Sequence, residues 1–196
     1  APTLTVDSGA TLQLNGNQTA GTASITGRLA GGGTLTTTTA TLHGGAVVDA
    51  NLGSGNLVVD GAAALNGTSA NPSVAIANGG TVTLGGAERL LDSAVITVAG
   101  TGTLAVPAAE TIGTLTLSGT LAGAGTLTAG AVALQNGALV SGQLGAGPIT
   151  SDGNTRISGT VAGPVTVRTG TLRPLGDERI ADSASVTVEA NSTLLL

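Results

Sequence analysis

A segment of about ninety residues occurs twice in this chain, and it is built from strands too short to stand alone. Gln18 to Thr36, QTAGTASITGRLAGGGTLT, matches Glu110 to Thr128, ETIGTLTLSGTLAGAGTLT, position for position at an offset of about 92 residues. In the second copy the apolar residues are Ile112, Leu115, Leu117, Leu121 and Leu127. They fall in short alternating runs separated by Ser-Gly, Ala-Gly and Gly-Ala, which is strand spacing interrupted by turns. No such strand forms a stable hairpin alone, so its backbone donors and acceptors need similar strands above and below. That requirement predicts a stack, and a chain that repeats the unit is most simply a solenoid.

The correspondence runs through the chain. Leu4-Thr5-Val6 returns as Ile96-Thr97-Val98, Leu52-Gly53-Ser54-Gly55 as Leu144-Gly145-Ala146-Gly147, and Asp60-Gly61 as Asp152-Gly153. Glu88-Arg89 with Asp92-Ser93-Ala94 returns as Glu178-Arg179 with Asp182-Ser183-Ala184, the offset having slipped slightly. The chain therefore reads as one continuous β-solenoid over 1–196, with long repeats at about 1–92 and 93–184 and the start of a third at 185–196. At roughly twenty residues per coil and about 4.8 Å between strands, about ten coils make a rod on the order of 45 to 50 Å long. Right-handed winding follows the usual preference of parallel crossovers. Residues 86–93 are the one place where a short helical turn is predicted, with 177–183 as its copy. The threonine run at 36–39 is placed on a strand.

The chain has no Phe, Tyr, Trp, Cys, Met or Lys, yet 41% of it is hydrophobic, so Leu, Val, Ile and Ala must build the core. A thin core stacked in ladders can do without the rings that fill a thick one. Thr, Ser, Asn and Gly are left for outward positions. With 9% charged residues and a net charge of −5, the chain lacks the basic clusters that bind phosphate, and it lacks the aromatics on which bases stack. Nucleic acid is not an expected partner. Without cysteine there is neither a thiolate metal site nor a disulfide. No apolar run is long enough for a membrane helix, and the strands are too short, and lack the aromatic girdles, for an outer-membrane barrel. The chain opens at Ala1-Pro2 and goes directly into strand, with no basic start or apolar h-region, and is read as a segment of something larger.

The stretches ERLLDSAVITVAGTGTLAV (88–106), ETIGTLTLSGTLAGAGTLT (110–128) and DERIADSASVTV (177–188) resemble the β-strand repeats of bacterial autotransporter passengers and filamentous-haemagglutinin-like large exoproteins. The likeness covers essentially the whole chain. It implies a right-handed parallel β-helix, secretion across the Gram-negative envelope, and display on the cell surface as a stalk or adhesin. The missing aromatics depart from adhesive passengers, whose binding faces often carry Tyr or Trp.

Candidate sites are few. Glu88, Arg89 and Asp92, with Glu178, Arg179 and Asp182, form the most distinctive motif. They are read as a structural element of the repeat, a polar loop whose Asp accepts backbone N–H groups and whose Arg pairs locally. The alternative is an acid/base pair for polysaccharide cleavage. His43 is the only histidine and its counterpart is Gln135, so it is read as a surface turn residue; a Ser-His-Asp reading lacks a second positioned group. Asp60-Gly61 and Asp152-Gly153 lack the Gly-Gly-x-Gly-x-Asp spacing of calcium repeats, and no metal or other cofactor is expected. Thr3/Thr5, Thr81/Thr83, Thr114/Thr116 and Thr126/Thr128 would suit an ice-binding face only if aligned on one side. The expectation is a non-enzymatic structural stalk or passenger segment of a secreted adhesin, on the bacterial cell surface. Its expected partners are host-cell, matrix or glycan surfaces, with no membrane insertion. It is expected to be monomeric, with self-association between cells or end to end as the other mode. The leading alternative is a direct adhesin that binds glycan or matrix through a Thr/Asn-rich face.

Overall fold

A computed structural model describes residues 2–196, and these residues form strands, turns and bends without any helix. The strands lie parallel and in register, each coil on the next, as the short-strand argument requires. On the first face the successive rungs are Leu4, Ala23, Ala40, Leu57, Val74, Ile96, Leu115, Val132, Ile149, Val165 and Val186. These eleven rungs stand roughly 50 Å tall at about 4.8 Å each. Their intervals are 19, 17, 17, 17 and 22 residues, then 19, 17, 17, 16 and 21. The long repeat is thus a group of five coils, and the slip in its offset is one residue lost in each of the last two coils of the second group. The prevailing coil has 17 residues, shorter than the twenty assumed from sequence, which is why there are eleven rungs where about ten were expected.

A second face runs through Leu12, Leu29, Val48, Leu65 and Leu84. A third pairs Gln18, Leu35 and Leu52, bridges to Ser69, and resumes with Glu110, Leu127, Leu144 and Val161 before a bridge to Ile180. Between the faces lies a core one side chain deep. Ile25, Leu42, Val59 and Ile76 stack directly on one another and none is more than 1% exposed. Each is covered by its own counterpart above and below, at about 1.5–3 kcal/mol per buried side chain. That geometry explains how the chain dispenses with aromatics. The inward positions are not all apolar, however: Glu110, Ser69, Asn71, Ser151 and Thr155 are also buried. Ser151 and Thr155 share a 2.6 Å bond, and Asn71 Oδ1 accepts the Ser69 hydroxyl at 2.6 Å while its Nδ2 donates to the Gly55 carbonyl at 2.9 Å.

Over the first four coils of each long repeat, the corner from the first face to the second alternates between four residues, as in 7–10, and two, as in Thr26-Gly27. The short corner tucks beneath the long one: a Cβ on Gly27 would lie 2.2 Å from the Asp7 carbonyl oxygen and 2.4 Å from that of Ala10. Gly119, its counterpart, meets the carbonyls of Ala99 and Gly102 at 2.3 Å each. The threonine run, expected on a strand, instead turns the corner from the third face to the first: Thr36 ends the strand Thr34–Thr36, Thr39 begins the strand Thr39–Leu42, and Thr37 is buried between them.

The helical turn predicted at 86–93 and 177–183 is absent. Glu88 and Glu178 have φ of 49° and 52°, which breaks a right-handed helix at its start. The segment's N–H groups go to the next coil, Glu88 to the Ala109 carbonyl and Arg89 and Leu90 to the Glu110 side chain. The Arg89 carbonyl accepts the Ser69 N–H of the coil before. The segment is therefore an irregular rung of the third face.

Candidate functional site

Glu110 organises this irregular corner. On the third face it occupies the inward place that Leu127 and Leu144 hold in the following coils, and it is 1% exposed. Its Oε1 accepts the Leu90 N–H at 2.6 Å and its Oε2 the Arg89 N–H at 2.8 Å. Burial raises its pKa above the usual 4.5. The two N–H bonds oppose that rise, the neighbouring Glu88 charge adds to it and Arg89 draws it down. Glu88 lies on the outside of the bend, where its Oε1 accepts the Thr111 hydroxyl at 3.2 Å. Arg89 folds over Gly86, where a Cβ would come within 2.8 Å of its guanidinium, and its Nε is buried without a hydrogen-bond partner. Arg179 lies over Gly176 in the same way, with its Nε donating to the Leu175 carbonyl at 3.3 Å. Asp92 and Asp182 are exposed. The carboxylate that receives the corner's N–H groups thus comes from the following coil and not from the motif's own Asp.

The lateral surface carries a second arrangement that sequence reading did not assemble. Ser24, His43 and Asp60 stand on three consecutive coils, the first on the strand Thr22–Ile25 and the others just past the ends of Thr39–Leu42 and Asn56–Val59. His43 Nε2 is 3.0 Å from Ser24 Oγ, and its Nδ1 is 2.8 Å from Asp60 Oδ1. The histidine thus has the positioned partners that it lacked in the sequence. The signal was present as interval: 24, 43 and 60 are separated by 19 and 17 residues, which are coil lengths. Beside it, Arg28 Nε donates to Asp49 Oδ2 at 2.6 Å and Asn66 Nδ2 to Asp49 Oδ1 at 2.7 Å. These bonds, the one from Asn66 foremost, hold the Asp49 pKa below its usual 3.8.

The threonine pairs do not share a side. Thr3/Thr5 and Thr114/Thr116 lie on the first face, Thr81/Thr83 on the second and Thr126/Thr128 on the third. Among the described residues no group of three or more His, Asp or Glu side chains is placed to hold a metal ion. A hollow of about 450 Å³ is lined by Leu4, Leu12, Leu14 and Leu35 and is the core seen from one end of the stack. Glu178, Arg179 and Asp182 line another, of about 310 Å³, at the opposite end. In comparisons with protein-family models, curated protein sequences and solved structures, nothing matches the chain.

Proposed function

We propose that this chain is a rod segment of a secreted bacterial cell-surface protein, a stalk that extends or carries adhesive regions. The observation that carries this reading is how the polar side chains on the sides of the stack are used: many tie one coil to the next. Asn17, Asn51, Asn78 and Asn136 each present Oδ1 to a backbone N–H of the following coil, those of Thr34, Thr68, Thr101 and Asn154, at 2.9–3.2 Å. The Asp49 ladder joins three coils in the same way. With parallel ladders on three faces and a continuous apolar column inside, each coil is coupled to its neighbours, and such a stack is stiff along its axis and unfolds cooperatively. Cleavage points for trypsin-like proteases are few, since the chain has six Arg and no Lys. The bacterial surface setting rests on the resemblance of residues 88–106, 110–128 and 177–188 to passenger repeats.

The test is binding of the labelled chain, after solution scattering has established a monomeric rod, to a panel of cells, matrix proteins and glycans. A stalk gives no saturable binding. Saturable binding to one target would replace this reading with that of a direct adhesin.

A further inference from the structure

We propose that Ser24, His43 and Asp60 form a nucleophile–base–acid relay on the side of the rod, and that Ser24 accepts acyl groups from small activated esters. The inference goes beyond the structural reading and does not depend on it. Written with Asp60 as a carboxylate, which can only accept, the 2.8 Å contact places a proton on His43 Nδ1. The neutral ring then has Nε2 free as an acceptor, and the 3.0 Å contact is the Ser24 hydroxyl donating to it. This is the order of groups that activates a serine: the base touches the nucleophile, and a third group fixes the tautomer and orientation of the base. Ser24 and His43 are half-buried and Asp60 is exposed, so the hydroxyl is reachable from solvent.

The fold does not need the relay. At the corresponding places the second long repeat has Thr116, Gln135 and Asp152, and it builds the same coils. There Asp152 stands 3.5 Å from Arg168.

In the reaction the Ser24 Oγ attacks the ester carbonyl carbon and its proton passes to His43 Nε2, while Nδ1–H stays on Asp60. The tetrahedral adduct collapses, the bond to the leaving oxygen breaks with its electron pair, and the leaving phenolate takes the proton from Nε2. The products are an acyl ester of Ser24 and a phenol. Water later adds across the acyl bond, releasing a carboxylic acid and restoring the hydroxyl. The strand that carries Ser24 is paired in parallel on both sides, with Thr5 in register on one and Thr41 on the other, so its N–H groups are committed to ladders and do not face the developing oxyanion. The site therefore takes esters with good leaving groups, and the acyl group leaves Ser24 slowly.

The experiment treats the whole chain with p-nitrophenyl acetate and, separately, with a fluorophosphonate, followed by intact-mass and peptide analysis. The expected result is one acetyl group on Ser24 and none on Thr116, with a stoichiometric burst of p-nitrophenol and slow turnover afterwards. Ser24→Ala removes the label. His43→Gln, which installs the residue found at the same corner of the second repeat, keeps the circular dichroism spectrum and slows acetylation at least about tenfold. Asp60→Asn slows it to a smaller extent. Acetylation scattered over several Ser and Thr residues, an unchanged rate in His43→Gln, or acetyl on His43 at the full rate in Ser24→Ala would each overturn the proposal.

Discussion

The two five-coil repeats share one backbone plan and differ in the side chains that join their coils, the second keeping the Asn136–Asn154 and Asp152–Arg168 links. In the first, charged and polar side chains form lateral chains across coils, Ser24–His43–Asp60 and Arg28–Asp49–Asn66. At the corresponding places the second has Thr116, Gln135 and Asp152, and Thr120, Ser141 and Ser158. What both keep is inside or at the corners: the apolar columns, the glycine beneath each long corner, and the Glu-Arg bend with positive φ at its Glu. The backbone ladders and the thin core thus suffice for the fold, and lateral side-chain chemistry is an addition to it.

The largest effect should come from what the repeats share. Gly27→Ala and Gly119→Ala each push a methyl into two carbonyl oxygens of the preceding corner, which rigid backbone cannot relieve. Each should cost on the order of 2–4 kcal/mol in equilibrium urea denaturation. A loss at only one of the two would break the equivalence of the corners.

Next comes Glu110, buried in the second repeat where its counterpart Gln18 in the first is exposed. Glu110→Ala leaves the N–H groups of Arg89 and Leu90 without their acceptors and should cost about 2–3 kcal/mol. Glu110→Gln copies the first repeat and keeps one acceptor, at a cost of about 1 kcal/mol at neutral pH. Its pH dependence follows from the raised pKa. The folded state favours the protonated carboxyl, so the contribution of Glu110 is fully present below pH 4.5 and declines as pH rises through its higher folded pKa. The glutamine variant lacks that decline, so the cost of the substitution should be larger at pH 4 than at pH 7. A cost that grew with pH would show that the two N–H bonds outweigh burial.

The fold could be read from the sequence because its two periods, alternation within a strand and the long repeat, are both written in apolar residues. The coil length was harder to see. A corner as short as Thr26-Gly27 gives little turn signal, and a coil taken as twenty residues puts Ser24, His43 and Asp60 out of column. Glu110 lay inside the most legible stretch, yet its inward direction was hidden. The strand Glu110–Leu117 rounds a corner at Gly113, and alternation counted back from Leu115 and Leu117 loses its phase there: Gly113 is half-exposed, while Ile112 and Glu110 point inward. The bend at Glu88 resembled a helix because Glu, Arg and Leu favour one, and the tertiary demand for N–H groups at Glu110 prevailed.

A smaller effect probes a lateral chain of the first repeat alone. Asp49→Asn should cost about 0.5–1 kcal/mol at neutral pH and less at high salt, as expected of a partly exposed ion pair. Because its pKa is lowered, the stability that Asp49 contributes is present above pH 3.8 and is lost as pH falls through its folded value. The cost of the substitution should therefore shrink in that acid range. Ser141→Ala, at the matching place of the second repeat, removes no ion pair and should show no such pH dependence.

The smallest effect concerns the motif both repeats retain. If Glu88 and Glu178 are present for their side chains, Ala and Gly should be equally poor replacements. If the bend is what matters, the two replacements differ, because at φ near 50° alanine carries the same left-handed strain as glutamate and glycine does not. Glycine's greater freedom in the unfolded chain offsets part of that relief. The glycine variant should therefore exceed the alanine variant by only about 0.5 kcal/mol or less at both positions. Glu88 also accepts the Thr111 hydroxyl, an exposed bond worth a few tenths of a kcal/mol that either replacement removes, so the comparison between Ala and Gly isolates the backbone. Equal stability of the two variants at both sites would mean that the shared Glu-Arg is kept for a contact and not for the turn it makes.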